Sequence, residues 1–197
     1  MNMQKINRFW QSSNLFLAPV ILVILIYYKD SMPFYQFLLW LHLPLLMFHE
    51  IEEYVLSPVS FKEFFNLKTP FGSQTNPNYP LDEGYVFQVN IVIAWPMVIL
   101  GAILANIAPW IGFSMIIFEL TINNLMHTII FQPKKPVYNP GLITNSLLLL
   151  PLGTVAFLTA LDFFQWYDWV FSVAAGALIV GLLAYKTASR QGKSKPQ

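Results

Sequence analysis

Residues 34–56 read FYQFLLWLHLPLLMFHEIEEYVL, an apolar segment that ends in the motif HEIEE at residues 49–53. Its length satisfies the roughly 20 residues that an α-helix needs to cross a bilayer. A charged side chain at the bilayer centre costs roughly 2.5–3.5 kcal/mol on insertion scales, so ionisable clusters in such segments usually serve a function. The segment therefore predicts a transmembrane helix with a polar site at one end, where a proton, a partner or a metal ion neutralises the charges.

The composition of the whole chain extends this prediction. Of its 197 residues, 56% are hydrophobic and 11% are charged, whereas a soluble domain has about 25% charged residues. The apolar residues form long blocks with Trp or Tyr near most of their ends, as in the aromatic belts of membrane proteins. We predict an all-α polytopic membrane protein, a single domain over residues 1–197, with about six transmembrane helices at residues 10–28, 34–56, 85–107, 110–131, 142–163 and 166–185.

The basic residues predict the orientation of this bundle. With six spans, ten of the eleven Lys and Arg residues lie on one side, and only Lys29 lies on the other. The positive-inside rule then predicts that both termini are cytoplasmic, in a multi-pass protein of the plasma membrane. The basic tail, residues 186–197, is expected to anchor the chain at anionic headgroups. The ten residues are Lys5, Arg8, Lys62, Lys68, Lys134, Lys135, Lys186, Arg190, Lys193 and Lys195.

Charge and cysteine content exclude several classes of function. A net charge of +1 gives no reason to expect nucleic acid binding. The chain has no cysteine, which excludes thiol catalysis, disulfides and cysteine metal ligands. The remaining partners are the membrane and a lipid-like or apolar substrate.

An α-helix rises 1.5 Å per residue, so the depth of each residue in the bilayer can be counted from the end of its span. Polar residues of four predicted spans then fall at a common depth in the cytoplasmic half. Two further residues, His42 and Glu119, fall near the midplane. Such convergence predicts a site inside the bundle, because exposure of these groups to lipid would be costly. The residues at the common depth are His49, Glu52, Glu53, Gln88, Asn90, Asn123, His127, Thr144 and Asn145.

Helical spacing predicts that these side chains face one another. His49, Glu52 and Glu53 are i, i+3 and i+4 neighbours and share a helix face. A second polar stripe recurs every four residues at Glu119, Asn123 and His127. Simpler explanations also exist: His42 as a hydrogen-bonded packing residue, Glu50 as a solvated side chain pointing away from the site, and ion pairs of Glu52 and Glu53 with Lys62 or Lys134.

Histidine and carboxylate at this spacing are typical metal ligands in helical proteins. One arrangement uses His49 and Glu53 as the i, i+4 ligands, with Glu50 as a general base. Another uses His49, Glu52 and Glu53 from one helix and His127 with Glu119 from the other. Nitrogen and carboxylate donors suit zinc, iron or manganese, and we favour zinc.

Three motifs occur in order along the chain: His49-Glu50-Ile51-Glu52-Glu53, Asn123-Asn124-Leu125-Met126-His127 and Tyr138-Asn139-Pro140-Gly141-Leu142-Ile143-Thr144. With them the chain resembles the HXXEE-domain membrane proteins, whose second and third motifs are Asn-Ala-x-x-His and Tyr-x-Pro-Gly-x-x-Thr. Asn124 stands where the family pattern has alanine. The resemblance covers residues 49–144 and implies an enzyme without specifying its reaction.

The third motif also has a physical interpretation. Pro140 and Gly141 break the chain before the fifth span, and Gly141 can adopt positive φ. The fifth helix would begin near Leu142 with free backbone N–H groups. Tyr138 and Thr144 could then donate hydrogen bonds to an oxyanion or to a ligand carboxylate, or the motif could be a simple turn.

The cytoplasmic loop at residues 57–84 contains a predicted short interfacial helix at residues 59–65. Residues 69–80 are rich in Pro and Asn. This part of the loop is either a lid over a lipid-like substrate or a simple connection.

We therefore hypothesise a membrane-embedded metal-dependent enzyme that hydrolyses a lipid-like or apolar substrate. The ligands would be His49, Glu53 and His127, with Glu52 or Glu119 as a further ligand or base. Asn123 and Tyr138 would orient the substrate. The alternatives are a di-iron oxidoreductase, a metal-free glutamate-type intramembrane protease, a proton-coupled transporter with a relay through His42, Glu119 and His127, and a structural subunit.

Overall fold

A computed structural model of the chain describes residues 2–119, 123–130 and 138–191. Regular structure in these ranges is helical, with no β-strand, so the predicted all-α class is confirmed. A 3₁₀ turn, Lys29–Ser31, follows the first helix. We number the helices α1 (Met3–Tyr28), α2 (Phe34–Ile51), α3 (Phe61–Lys68), α4 (Glu83–Ile103), α5 (Pro109–Phe118), α6 (Leu142–Ala160) and α7 (Trp166–Gln191).

Within the described residues, four helices are long and apolar enough to cross a membrane: α1, α4, α6 and α7, with mean hydropathies of 1.7 to 2.1. They coincide with the first, third, fifth and sixth predicted spans, which supports a membrane protein. The second span, α2, is not among these four, and the described part of the fourth span contains the shorter apolar helix α5. The total of six helices, the cytoplasmic termini and the plasma-membrane location remain predictions.

The second predicted span, α2, is the interior helix of the bundle. Eleven of its 18 residues are buried, whereas only 17–28% of the apolar windows in α1, α4, α6 and α7 are buried. Its polar residues therefore contact protein rather than lipid. Leu39 of α2 packs against α5 so closely that a Cβ on Gly112 would lie 2.6 Å from its Cδ1 atom. Small residues at such crossings let membrane helices approach each other.

Polar contacts bring the two ends of the chain together at one end of the bundle. Asn7 of α1 donates hydrogen bonds to Glu83 at the start of α4. Arg190 at the end of α7 pairs with Asp82, next to that same start. Both described ends of the chain therefore lie on one side, as an even number of spans requires. Phe131 and four of the basic residues lie outside the described residues: Lys134, Lys135, Lys193 and Lys195.

Among the described residues, π-helical segments occur in each predicted span that contributes to the site. Such segments are rare and frequently mark functional sites. Pro96 and Pro151 lie just after two of these segments. Because proline has no backbone N–H, it cannot donate a hydrogen bond to the carbonyl four residues earlier, which favours a wider turn before each proline. These turns were not predicted from the sequence. The segments are Glu52–Leu56, Gln88–Ala94, Met126–Ile130 and Asn145–Leu149.

The loop after α2 is folded onto this end of the bundle. Its short helix, α3, begins after Ser60, whose hydroxyl accepts a hydrogen bond from the Glu63 amide. Asn66 is buried and its side chain bonds the backbone of Pro77 and Leu81. These bonds hold the loop together, and the Phe61 ring packs against His127 with the ring centroids 5.1 Å apart, which places the loop at the site end.

Candidate metal centre

Three buried side chains converge where α2 ends. The Nε2 atom of His49 lies 3.4 Å from Oε1 of Glu53, and the Nε2 atom of His127 lies 3.5 Å from the same oxygen. One ligand atom from each residue lies within 4.8 Å of the other two. A tetrahedral metal with bonds of about 2.0–2.1 Å would need ligand atoms roughly 3.3 Å apart. The spacing is therefore close to that of a metal site.

Hydrogen bonds from α6 and its preceding turn determine the tautomers of both imidazoles. The Thr144 hydroxyl donates to Oε2 of Glu52 at 2.5 Å, so it accepts the proton of His49 Nδ1 at 3.0 Å. The Asn139 amide nitrogen donates to the His127 carbonyl at 2.7 Å. Its oxygen therefore accepts from His127 Nδ1 at 3.1 Å. This network places a proton on each Nδ1, so that each Nε2 offers a lone pair when the imidazole is neutral.

These tautomers make the cluster suitable for a cation. Two imidazole lone pairs and one carboxylate oxygen face a common point in a buried environment, where unneutralised charge is costly. Histidines that bind metals usually donate their other N–H to a neighbouring oxygen, as both do here. The donor chemistry and the spacing of the three atoms thus fit a divalent transition metal.

Glu52 contacts the start of α6 rather than the three-residue cluster. Its carboxylate accepts hydrogen bonds from the Ile143 amide at 3.2 Å and from the Thr144 amide at 2.7 Å. The Tyr138 hydroxyl also donates to it. A carboxylate at a helix N-terminus satisfies free N–H groups and opposes the helix dipole. Glu52, predicted as a ligand or base, instead fixes Thr144, which orients His49.

Tyr138 remains protonated in this arrangement. Its partial burial and its hydrogen bond to Glu52 raise the pKa of Tyr138 to about 12. The phenol therefore serves as a donor at neutral pH. This agrees with the predicted hydrogen bond from Tyr138 to a carboxylate of the site.

Gly141 lies directly against the three candidate ligands. Its φ of +89° is in the left-handed region that favours glycine. A Cβ at this position would lie 2.6 Å from Cε1 of His49 and 3.0 Å from both Glu53 Cγ and His127 Cε1. The glycine is thus required by its backbone conformation and by the space that the ligands occupy.

Substitution of Gly141 by alanine is expected to remove metal binding. The left-handed conformation alone costs a non-glycine residue about 1–2 kcal/mol, and the added methyl would displace both imidazoles. Metal content and thermal unfolding of the detergent-purified variant would measure these effects. Gly181→Ala is the matched control, because a Cβ there meets no atom within 4 Å. Equal metal content in both variants would contradict the prediction.

The second polar stripe reaches the same cluster from the other side. The Asn123 amide nitrogen donates to Oε2 of Glu119 at 2.6 Å and lies 3.3 Å from His49 Nε2. This contact agrees with a lone pair on that nitrogen. Glu119 does not belong to the three-donor group found among the described residues. Its carboxylate is buried and accepts the hydrogen bond from Asn123.

An apolar cavity of about 180 Å³ adjoins the candidate ligands. His49, Glu53, Glu119 and Asn123 line its polar side. The remaining walls are mainly aromatic and aliphatic side chains of α3, α4 and α7 and of the segments next to the site. They include Tyr54, Phe61, Phe65, Val89, Phe118 and Leu183.

Comparison with known families decides where this chain belongs. The family described as "Protein of unknown function with HXXEE motif" matches residues 40–156, more than half of the chain. The chain belongs to the HXXEE family. No curated protein and no solved structure matches it. The matched region of this HXXEE protein includes the three candidate ligands and the residues that hydrogen-bond them.

Two polar residues of α2 lie outside the cluster of the HXXEE protein. Glu50 is fully buried, so the explanation that it is solvated is wrong. Its carboxylate accepts from Asn14 at 2.8 Å and from the Trp95 indole at 3.0 Å, which places it away from any base position. His42 is also buried, but its Nε2 has no hydrogen-bond partner within the described residues.

The suggested ion pairs of the motif carboxylates are also not seen among the described residues. Lys62 pairs with Glu83 instead, at 2.9 Å. Glu53 contacts the two imidazoles and Glu52 contacts the start of α6. Lys134, the other suggested partner, lies outside the described residues.

Asn139 lies within the third motif, but no role for it was predicted from the sequence. It is buried and binds both the ring nitrogen and the backbone carbonyl of His127. Its position between Tyr138 and Pro140, both in the family pattern, was the available signal. A variable position inside a motif gives no chemical reason to expect a contact, so only the structure revealed this one.

Proposed function

We propose that this HXXEE protein is a membrane-embedded metal-dependent hydrolase that acts on a lipid-like substrate. One observation carries the proposal. Two imidazole nitrogens and a carboxylate oxygen converge in one buried group, and two of its three residues, His49 and Glu53, line an apolar cavity. That combination provides a reactive centre beside a space suited to an acyl chain.

The number of donors favours a catalytic site over a structural one. Catalytic zinc sites commonly have three protein ligands and an open fourth position, and two histidines with one glutamate is a known set. A metal bound there would lower the pKa of a water molecule and polarise a carbonyl group. The donors suit zinc best, and iron or manganese are alternatives.

The surrounding residues supply the other requirements of hydrolysis. Thr144 and Asn139 hold the two imidazoles in the tautomer that offers Nε2. Glu119 is a buried carboxylate on the cavity wall and is our candidate general base. Asn123 fixes its orientation by donating a hydrogen bond to Oε2.

A di-iron centre receives less support from the described residues. Helical di-iron sites use four carboxylates and two histidines. Here the Glu52 carboxylate accepts hydrogen bonds from the start of α6, and the Glu50 carboxylate accepts them from Asn14 and Trp95. Only two carboxylates, Glu53 and Glu119, then remain near the imidazoles among the described residues. We therefore rank hydrolysis at a single metal above oxidation at two.

Hydrolysis would be tested with purified protein in vesicles of defined phospholipids, with released products followed by mass spectrometry. We expect product from the metal-loaded parent, loss on chelation and recovery on addition of zinc. Glu119→Gln should retain the metal and lose about 10²–10⁴-fold in rate, the usual range for a general base. Asp162→Asn, which alters an exposed carboxylate outside the site, should keep the parent rate. Lack of product from the metal-loaded parent would contradict the proposal.

A further inference from the structure

A second cavity, of about 420 Å³, lies beside the first at the end of the bundle where the described chain ends meet. Its walls come from α1, α3, the loop before α4, and the start of α4. In contrast to the first cavity it is lined largely by polar and charged side chains. They include Gln4, Arg8, Lys62, Glu63, Asn78 and Glu83.

Two of these charges neutralise each other. The Lys62 ammonium donates to Oε1 of Glu83 at 2.9 Å and to the Asn78 side-chain oxygen at 2.7 Å. The other oxygen of Glu83 accepts from Asn7 at 2.6 Å. This pair is therefore held in place, and Lys62 retains one N–H for a further acceptor.

The other two charges have opposite sign and no ion-pair partner. Neither Arg8 nor Glu63 forms a salt bridge within the described ranges 2–119, 123–130 and 138–191, and they are not paired with each other. Both line the same cavity. A free guanidinium and a free carboxylate on the walls of one cavity match a ligand that carries both a negative and a positive group.

The two cavities share part of their walls. Tyr54 and Val86 line both of them, so the charged space and the apolar one meet at these side chains. Tyr54 directly follows the candidate ligand Glu53. A molecule with its head in one cavity and its chain in the other would therefore place the linkage between them near the candidate metal centre.

We propose that the charged cavity binds the zwitterionic headgroup of a phospholipid. Its phosphate lies at Arg8 and the remaining N–H of Lys62, because guanidinium groups bind phosphate with paired hydrogen bonds. Its ammonium lies at Glu63. This inference rests on the proposed function, since it names the substrate class of the same site: a phospholipid whose acyl chain occupies the apolar cavity.

The test measures lipid retention by native mass spectrometry after incorporation into nanodiscs of phosphatidylethanolamine, phosphatidylglycerol and diacylglycerol. The parent should retain phosphatidylethanolamine above the other two. Arg8→Gln should lower phospholipid retention about tenfold, as expected for one lost charge-assisted hydrogen bond. Glu63→Gln should shift the preference to phosphatidylglycerol, because the cavity then carries a net positive charge. Lys5→Gln is the control, since Lys5 lies on the same helix but outside the cavity.

Three results would overturn the headgroup proposal: equal retention by the Arg8 and Lys5 variants, an unchanged preference in Glu63→Gln, or displacement of the lipid by soluble phosphoethanolamine. The last would assign the cavity to a free metabolite. Metal content should be the same in all of these variants. Selective lipid retention without hydrolysis would contradict the proposed function alone, so the two failures are distinguishable.

Discussion

Replacement of His49 or His127 by alanine is expected to abolish stoichiometric metal binding. Each substitution removes one of the three donors found among the described residues, whose atoms lie within 4.8 Å of one another. Loss of a residue that merely hydrogen-bonds a ligand typically lowers metal affinity 10–100-fold, and loss of a ligand should exceed this. Metal analysis of the detergent-purified parent and variants would measure the effect.

His42, the one histidine of the sequence outside the candidate ligands, provides a matched control for this experiment. His42 is as buried as His49 and lies two turns earlier on the same helix, outside the cluster. His42→Ala should therefore retain the metal of the parent. A parent without transition metal, or a His127→Ala variant that keeps it, would disprove the metal centre. The colour and redox activity of the preparation would separate iron from zinc.

Replacement of Glu52 by alanine is expected to cause the largest loss of stability. The change would leave the amides of Ile143 and Thr144 without their acceptor. It would also remove the partner of the Tyr138 hydroxyl. A buried donor left without a partner costs about 1–3 kcal/mol, so the loss of these bonds together should amount to several kcal/mol. Thermal unfolding in detergent should show the loss, together with weaker metal binding because Thr144 no longer orients His49.

Two comparisons separate this effect from a general change of charge. Asp162→Ala alters an exposed carboxylate and should leave unfolding unchanged. Glu52→Gln preserves the shape of the side chain and should lose less stability than Glu52→Ala. If Glu52→Ala unfolded at the parent temperature and bound metal equally well, the attachment of α6 to the site through Glu52 would be refuted.

Local sequence accounts for much of the molecule. Runs of apolar residues predict helices that can cross a membrane, because the bilayer requires that length and composition. The i, i+4 spacing of His49 and Glu53 predicts a shared face, since it depends only on the helical repeat. The structure places these two side chains 3.4 Å apart. The family motifs likewise indicate His127, which the structure brings to Glu53.

Helical spacing does not predict which carboxylate finds which partner. By its spacing, Glu52 shares the face of His49, yet it contacts Tyr138 and Thr144 more than 80 residues away. Glu50 is bound by groups from α1 and α4. Such pairings depend on how helices that are distant in the chain pack together. The periodicity of one segment contains no information about this.

The two cavities also differ in how far the sequence alone predicts them. Composition indicated a membrane protein with a lipid-like substrate, because apolar segments and buried polar residues are visible in one sequence. The charged cavity forms only when α1, α3 and α4 meet, and its unpaired residues, Arg8 and Glu63, are 55 positions apart. Side chains become neighbours through long-range packing, which brings together groups that local spacing leaves unrelated.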